Sequence, residues 1–164
     1  MYQMVRMEMD RHDWHSVECG CGKSADHFLG VLREGVGGSF SAIRSLEGHV
    51  FIQSNLMPPA PAVTSVAMAA LGGPDTLGGR EDLVWLILSI ASGEEDGDSV
   101  ESSIYWKCHE LIRDGLWVIY REAISGGSEV KARNALDVAE IVEWDEDRLD
   151  GYRRAIREIH GRVS

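Results

Sequence analysis

Apolar residues recur at helical spacing over residues 128–144, which give the clearest secondary-structure prediction in the chain. Their spacing of three and four residues places them on one face of a helix, and a second apolar stripe flanks that face. An apolar surface this wide suits a helix that is packed on more than one side. The face consists of Ala132, Ala135, Leu136, Ala139 and Val142, and the flanking stripe of Val138 and Ile141.

The same period continues along most of the chain. Residues 83–91 are apolar on nearly all sides and predict the most deeply buried helix. Proline and glycine runs at residues 57–61 and 72–79 separate predicted helices, because proline is tolerated only in the first helical turn. Ser128 and Asp145 each precede a periodic apolar segment and are predicted helix caps.

One segment has the composition of a strand. Residues 49–55 (HVFIQSN) are rich in β-branched and aromatic side chains. No second strand is evident in the sequence to pair with it, and an isolated strand leaves its backbone groups without hydrogen bonds. The segment is therefore interpreted as helix or loop, and no β-sheet is expected.

These patterns predict an all-α fold of roughly seven to nine helices, in a single domain over residues 1–164. The first ten residues alternate methionine with polar side chains and could form a short helix, a frayed strand or an irregular or disordered leader. Residues 92–99 (SGEEDGDS) hold no apolar side chain, which predicts a mobile, solvated acidic loop.

Charge and cysteine content narrow the possible partners and location. The 164 residues include 27 acidic and 16 basic side chains, for a net charge of −11. Phosphate groups would repel such a chain, which argues against nucleic acid or an anionic membrane as partner and permits a basic protein. No apolar run approaches the ~20 residues of a transmembrane helix. The odd count of three cysteines and the lack of an apolar signal segment predict a cytoplasmic protein.

The order of segments in the C-terminal third resembles a HEAT or armadillo repeat. A helix ends at Asp114-Gly115, a second apolar helix follows, and after a polar turn a third helix carries Ala135-Leu136 at its centre. The unit spans residues 103–142, close to the ~40-residue period of such repeats. The resemblance implies a short right-handed α-solenoid, a curved stack of helices used to bind proteins.

The whole chain is also similar to a group of small HEAT-repeat proteins of actinomycetes. Asp13-Trp14 and Gly22 match the start of that pattern, and the apolar helix and acidic loop match its middle. Residues 49–61 match only loosely, and the Cys19-Gly20-Cys21 step departs from the pattern.

One group of residues near the N-terminus has metal-ligand types at close spacing. It consists of His12, His15, Cys19 and Cys21. The cysteines are one residue apart, which is awkward for chelation by a common zinc loop, so core or surface placement without a metal is the preferred interpretation. The alternative is a metal-dependent or thiol-dependent enzyme centred on these four residues. Cys108 is interpreted as a core residue, no cofactor is expected, and no catalytic motif is evident.

Two acidic groups form the predicted partner-binding surface. Glu94, Glu95 and Asp96 lie in the acidic loop, and the second group, around the turn before the last helix, consists of Glu140, Glu143, Asp145, Glu146, Asp147 and Asp150. Such groups would steer a basic protein into contact. Among Trp85, Trp106, Trp117 and Trp144, most are expected in the core, and Trp144 is the expected exposed anchor. The pattern suggests a protein-binding module, for example an immunity protein against a basic bacterial toxin, with a regulatory adaptor as the alternative.

Overall fold

The computed structural model describes residues 2–74, 79–95, 103–125 and 127–161. This part of the chain is mostly helical, with nine α-helices, one 3₁₀ helix and one small β-hairpin. The helices are α1 (Gln3–Asp10), α2 (Leu29–Val36), α3 (Phe40–Arg44), α4 (Ala60–Leu71), α5 (Arg80–Ala91), α6 (Ile104–Asp114), α7 (Leu116–Ile124), α8 (Glu129–Val142) and α9 (Glu146–His160). The 3₁₀ helix is Ala25–Phe28, and the hairpin strands are β1 (Phe51–Ile52) and β2 (Asn55–Leu56).

Helices α4 and α5 lie at the centre of the fold. Helix α4 packs against α1, α5 and α6, and α5 packs against α3, α4 and α8. Nearly every residue of α4 is buried, and Thr64 meets its hydrogen-bonding need by donating to the Ala60 carbonyl at 2.8 Å. The buried residues of α5 include Leu83, Leu86 and Ile87, as its apolar sequence predicted. Among the described helices none is both long and apolar enough to cross a lipid bilayer.

Helix α8 contacts helices on several sides, which confirms the prediction made from its wide apolar surface. It packs on α5, α7 and α9, and its buried residues are Ala132, Ala135, Val138, Ala139 and Val142. The boundary of the buried face differs from the prediction at Leu136, which is only half-buried, and at Ile141, which is 38% exposed.

The helix caps predicted at Ser128 and Asp145 are present, whereas Ser24, which the sequence also predicts as a cap, makes no capping side-chain hydrogen bond. The Ser128 side chain accepts a hydrogen bond from the backbone N–H of Lys131 at 3.2 Å, and Asp145 accepts one from Arg148 at 3.0 Å. Each cap satisfies a backbone donor that the first helical turn leaves free. These local signals therefore fix where α8 and α9 begin.

The expectation of no β-sheet is wrong. Strand β1 pairs antiparallel with β2, and Gln53 adopts a left-handed φ of 58° in the turn between them. The partner strand thus lies within the same short segment, which makes a distant second strand unnecessary. Glu94 extends the pairing, because its N–H donates to the Ser54 carbonyl at 2.7 Å and its carbonyl accepts from Leu56 at 2.8 Å.

The N-terminal residues form helix α1, one of the three structures left open by the sequence. Val5 and Met9, one helical turn apart, are buried where α1 packs on α4. The Trp14 indole donates to the Met9 carbonyl at 2.7 Å and fixes the chain after the helix. These contacts join α1 to the main hydrophobic core.

A buried ion network joins the ends of four helices. The Glu122 carboxylate of α7, only 1% exposed, accepts hydrogen bonds from Arg80 of α5 and from Lys131 of α8, the latter at 3.3 Å. Arg80 and Arg121 also donate to the Leu71 carbonyl at the end of α4. Burial alone would raise the pKa of Glu122, but the hydrogen bond and charge of Arg80, followed by Lys131 and Arg121, outweigh it and lower that pKa. The carboxylate is therefore charged in the folded protein at neutral pH.

Candidate functional site

The turn between α8 and α9 is organised around Glu143. Its Oε1 accepts the backbone N–H groups of Trp144 and Asp145 at 2.8 and 2.9 Å, and its Oε2 accepts the Tyr120 hydroxyl at 3.0 Å. Arg148 Nε lies 2.9 Å from Oε2, and only 4% of the Glu143 side chain is exposed. Burial alone would raise the pKa of Glu143, but the hydrogen bonds from Asp145, Tyr120 and Trp144 lower it.

Glu143 is thus largely enclosed by its own chain, whereas its acidic neighbours are exposed. Arg153 contacts three of them: it pairs with Glu140 and Asp150 at 2.8 Å each and lies 3.8 Å from Glu146. Glu146 remains 77% exposed despite this contact. Asp147 is also exposed, so Glu146 and Asp147 are both accessible acidic side chains of the turn.

The other predicted acidic group is used largely within the chain. Glu95 accepts hydrogen bonds from the Ser103 hydroxyl at 2.5 Å and from the Tyr105 N–H at 3.1 Å, at the start of α6. Burial opposes ionisation of Glu95, but these hydrogen bonds outweigh it and lower its pKa. The Glu94 side chain is exposed while its backbone pairs with the hairpin, so residues 94 and 95 are tethered and not free. Asp96 and the rest of the predicted acidic loop to residue 99 lie outside the described residues.

Two exposed tryptophans face a cleft beside this turn. Trp117 at the start of α7 is 63% exposed and Trp144 is 73% exposed. The guanidinium of Arg113 lies 3.7 Å from the centre of the Trp144 ring, and that of Arg148 lies 5.4 Å from the Trp117 ring. The cleft has a volume of about 530 Å³. Its walls are formed by Arg113, Asp114, Leu116, Trp117, Glu143, Trp144, Asp145 and Arg148.

The exposure of Trp144 confirms the prediction for that residue. The expectation that most of Trp85, Trp106 and Trp117 are buried is wrong. Trp106 is 40% exposed, in addition to Trp117. Leu116, Ile119, Tyr120 and Ala123 are the buried side of α7, and Trp117 falls outside their helical phase. The sequence therefore contained the signal for an exposed Trp117.

The structure separates the four predicted metal-ligand residues. His12 Nε2 lies 2.9 Å from Ser65 Oγ, and His15 Nδ1 lies 3.2 Å from Asp26. Cys19 and Cys21 instead come together with two histidines that the sequence analysis missed, His27 of the 3₁₀ helix and His49 before β1. The spacing of both histidines from the cysteine pair matches no common metal-binding motif. The group is therefore recognisable only in the folded structure.

The ligand atoms of this Cys/His cluster (Cys19, Cys21, His27 and His49) lie within 4.8 Å of one another. Cys19 Sγ is 3.5 Å from His49 Nδ1, and Cys21 Sγ is 3.6 Å from His27 Nε2. The two sulfurs are 2.7 Å apart and both cysteines are free thiols. Cys19 is buried, His49 is half-buried, and the other two residues are exposed.

The backbone around the cysteines forms a tight turn that is docked onto the His49 segment. The N–H of Gly22, whose φ is +76°, donates to the Cys19 carbonyl at 2.8 Å. The Gly20 N–H donates to the His49 carbonyl at 3.0 Å. A side chain at Gly20 would place its Cβ 2.9 Å from the Gly48 carbonyl oxygen and from Met57, so this close approach requires glycine.

The protonation states in the cluster follow from its environment. Burial, then the hydrogen bond with Cys21, raise the pKa of the Cys19 thiol, while the hydrogen bond from Cys19 lowers that of Cys21. Burial lowers the pKa of His49, which favours its neutral form. The third cysteine differs, because burial raises the pKa of Cys108 to about 12. Cys108 is fully buried, as predicted, and its thiol is unsuited to act as a nucleophile.

Comparison of the chain with protein-family models, with curated proteins and with solved structures found no match. The class is therefore described from the fold and its surfaces alone: a mostly helical protein with a cleft lined by two tryptophans. It also carries a cysteine and histidine cluster beside its hairpin.

Proposed function

We propose that the protein is a protein-binding module that uses the cleft between Trp117 and Trp144 to hold a basic partner. The observation that carries the proposal is the exposure of these two indole rings, at 63% and 73%, on one cleft. Exposed apolar side chains grouped in one patch mark interaction sites, and tryptophan is enriched among residues that dominate binding energy.

The arginines next to the rings support a preformed surface. Arg113 donates to the Val142 carbonyl at 3.0 Å while it stacks on Trp144, so its position is fixed from the interior. Arg148 is held by Glu143 and lies 3.6 Å from Asp145. A ring whose rotamer is already restricted loses less conformational entropy on binding.

The charge of the surroundings favours a basic partner. The net charge is −11. The positive charges of Arg113 and Arg148 are already paired within the chain, with the Val142 carbonyl and the Glu143 carboxylate. Asp114, Glu146 and Asp147 are exposed on or next to the cleft. Such a field raises the association rate of a positively charged protein and weakens with added salt.

We further propose that the helices form a short right-handed solenoid of the HEAT or armadillo type. The contacts of α4 with α6, α5 with α8 and α7 with α9 support it. In each pair, a helix packs against the helix that comes two or three helices later in the chain. Helices α6, α7 and α8 correspond to the repeat-like unit over residues 103–142. In a solenoid, the curvature of the stack creates extended surfaces that bind partners.

The sharper form of the proposal is an immunity protein that acts in the cytoplasm and neutralises a basic bacterial toxin. The acidity and the tryptophan cleft suit an inhibitor that covers a cationic active surface. A regulatory adaptor would use the same cleft for a client that is not toxic. The partner's activity separates these alternatives, because only a toxin would be inhibited on binding.

The test is co-expression with the product of the adjacent gene, followed by affinity and inhibition measurements on the purified pair. Trp117→Ala and Trp144→Ala are each expected to weaken binding at least about tenfold, as truncation of a central tryptophan does. Trp106→Ala is the matched control, because Trp106 is exposed but does not line the cleft. Glu146→Gln with Asp147→Asn should slow association and reduce its salt dependence.

Two results would contradict the proposal. Binding that is unchanged by both cleft substitutions would remove the cleft as the binding surface. A chain that binds no neighbouring gene product and protects against none would remove the inhibitor.

A further inference from the structure

We propose that Cys19, Cys21, His27 and His49 bind one Zn²⁺ ion in a structural site that joins the N-terminal loop to the segment before the hairpin. The Cys/His cluster offers two sulfur and two nitrogen atoms, all within 4.8 Å of one another. This Cys₂His₂ donor set is one that zinc prefers in closed tetrahedral sites. The inference is independent of the tryptophan cleft and of any protein partner.

Two sulfur–nitrogen distances in the cluster match those around a tetrahedral ion. Zinc lies about 2.3 Å from sulfur and about 2.0–2.1 Å from nitrogen, so tetrahedral angles set the sulfur–nitrogen separations near 3.6 Å. The observed separations are 3.5 Å for Cys19 and His49 and 3.6 Å for Cys21 and His27. The two sulfurs, now 2.7 Å apart, must separate by about 1 Å to straddle the ion. The exposed Cys21 has the room to make that shift.

The groups around the ligands are those that support a metal site. His27 Nδ1 lies 2.6 Å from the Ser24 carbonyl, which can only accept a hydrogen bond. The proton therefore sits on Nδ1, and the lone pair of Nε2 is directed toward Cys21. Metal-binding histidines are commonly oriented by such a bond to a backbone carbonyl. The backbone N–H of Cys21 donates to Cys19 Sγ at 3.3 Å, which stabilises negative charge on that sulfur.

Charge balance also favours a divalent ion. Two thiolates and two neutral imidazoles carry a total charge of −2, which Zn²⁺ cancels. When the ion binds, both thiols lose their protons to solvent, so the two sulfurs coordinate it as thiolates. Four protein ligands fill its coordination sphere and leave no position for a substrate, so the geometry indicates a structural ion and not a catalytic one.

The structural benefit would come from linking distant parts of the chain. His49 is 30 residues from Cys19, and the two segments meet through the Gly20 to His49 hydrogen bond and the cluster. The hairpin that follows His49 is itself paired with Glu94 beyond α5. An ion at the cluster would therefore stabilise a region with short helices, where the 3₁₀ helix, α2 and α3 contribute few turns.

The first experiment is elemental analysis of the full-length protein, purified under reducing conditions without chelator from zinc-supplemented cells. About one zinc per chain is expected for the parent. Cys21→Ser and His27→Ala remove exposed ligands and are expected to abolish stoichiometric zinc. His15→Ala and Cys108→Ala are matched controls, a histidine of the same segment and a cysteine outside the cluster, and both should retain the ion.

The second experiment measures metal binding by the parent protein directly, with Cys21→Ser as the comparison. Co²⁺ added to the metal-free parent should give the visible absorption bands of tetrahedral cobalt thiolate, and Cys21→Ser should lack them. A strong chelator should lower the Tm of the parent by several degrees and leave that of Cys21→Ser unchanged. The proposal is overturned if the reduced parent holds no zinc after reconstitution, if the His15→Ala control loses the ion as His27→Ala does, or if peptide mass analysis of protein purified under native conditions finds a Cys19–Cys21 disulfide in place of the metal.

Discussion

The Tyr120 hydroxyl donates a 3.0 Å hydrogen bond to Glu143, joining α7 to the turn between α8 and α9. The same tyrosine ring stacks on Tyr152 of α9, with centroids 3.7 Å apart and planes inclined by 11°. Burial, followed by the bond to Glu143, raises the pKa of Tyr120 well above its usual range, so the phenol keeps its proton and remains a donor. Glu143 thus connects the turn that presents Trp144 to the interior of the protein.

Removal of this carboxylate should destabilise the fold. Glu143→Ala leaves the Tyr120 hydroxyl, two backbone N–H groups and Arg148 without their acceptor. We expect a loss of about 3 kcal/mol in the free energy of unfolding, measured by chemical denaturation with circular dichroism. Glu146→Ala, an exposed change in the next helix, should stay within about 0.5 kcal/mol of the parent. Equal stability of the two variants would show that Glu143 has no such structural role.

The buried network around Glu122 gives a larger effect. Glu122→Gln keeps the shape of the side chain but removes the negative charge that pairs with Arg80 and Lys131, whose side chains are only 10% and 13% exposed. We expect a loss of about 3–5 kcal/mol, measured by the same denaturation method. Glu110→Gln, on the exposed side of α6, is the matched control and should be neutral. A neutral Glu122→Gln would contradict a net stabilising role for the network.

The same residue predicts a direction for the acid sensitivity of the protein. The folded pKa of Glu122 is lowered, so its contribution to stability is complete above the unfolded pKa of about 4.3 and is lost as the pH falls through the folded value. The Tm of the parent should therefore decrease as the pH is lowered below about 4. The slope of Tm against pH in that range should be shallower for Glu122→Gln than for Glu110→Gln. Parallel slopes would mean that Glu122 titrates alike in both states.

Two positions on α8 test its register. Val138 is fully buried and Ile141 is 38% exposed. Val138→Asp places an unpaired charge in the core and should prevent folding, whereas Ile141→Asp should fold with a loss of less than about 1 kcal/mol. Helical signal in circular dichroism and the unfolding midpoint distinguish these outcomes. Folding of Val138→Asp would show that the assigned face is incorrect.

Two glycines should respond to alanine in opposite directions. Gly20→Ala brings a Cβ within 2.9 Å of the Gly48 carbonyl and of Met57, so we expect a loss of about 1–3 kcal/mol. Gly30 is exposed in α2, and a methyl group added there would meet no neighbouring side chain within 4 Å, so Gly30→Ala should add about 0.5–1 kcal/mol. Thermal unfolding of the two variants beside the parent gives the sign of each change. A tolerated Gly20→Ala would mean that the cysteine turn is not docked tightly.

The sequence predicted best those features that depend on one local pattern. The cap at Ser128, the apolar sides of α5 and the exposure of Trp144 follow from residues within a turn or two of each other. The hairpin was missed because two-residue strands give no alternation to detect, and its pairing with Glu94 depends on the tertiary fold. His27 and His49 were missed for the same reason, since only folding brings them to Cys19 and Cys21. Glu143 resembled a surface carboxylate because the sequence does not show that Tyr120 lies beneath it.

The distribution of the five tryptophans determines which optical measurements are informative. Trp106, Trp117 and Trp144 are already in contact with water in the folded chain, Trp85 is half-buried, and Trp14 is well shielded at 6% exposure. Unfolding should therefore shift the intrinsic fluorescence emission only modestly, which makes circular dichroism the better monitor of stability. A partner that covers two indoles of the cleft would move the emission to shorter wavelength, so the unlabelled protein carries its own optical reporter of complex formation.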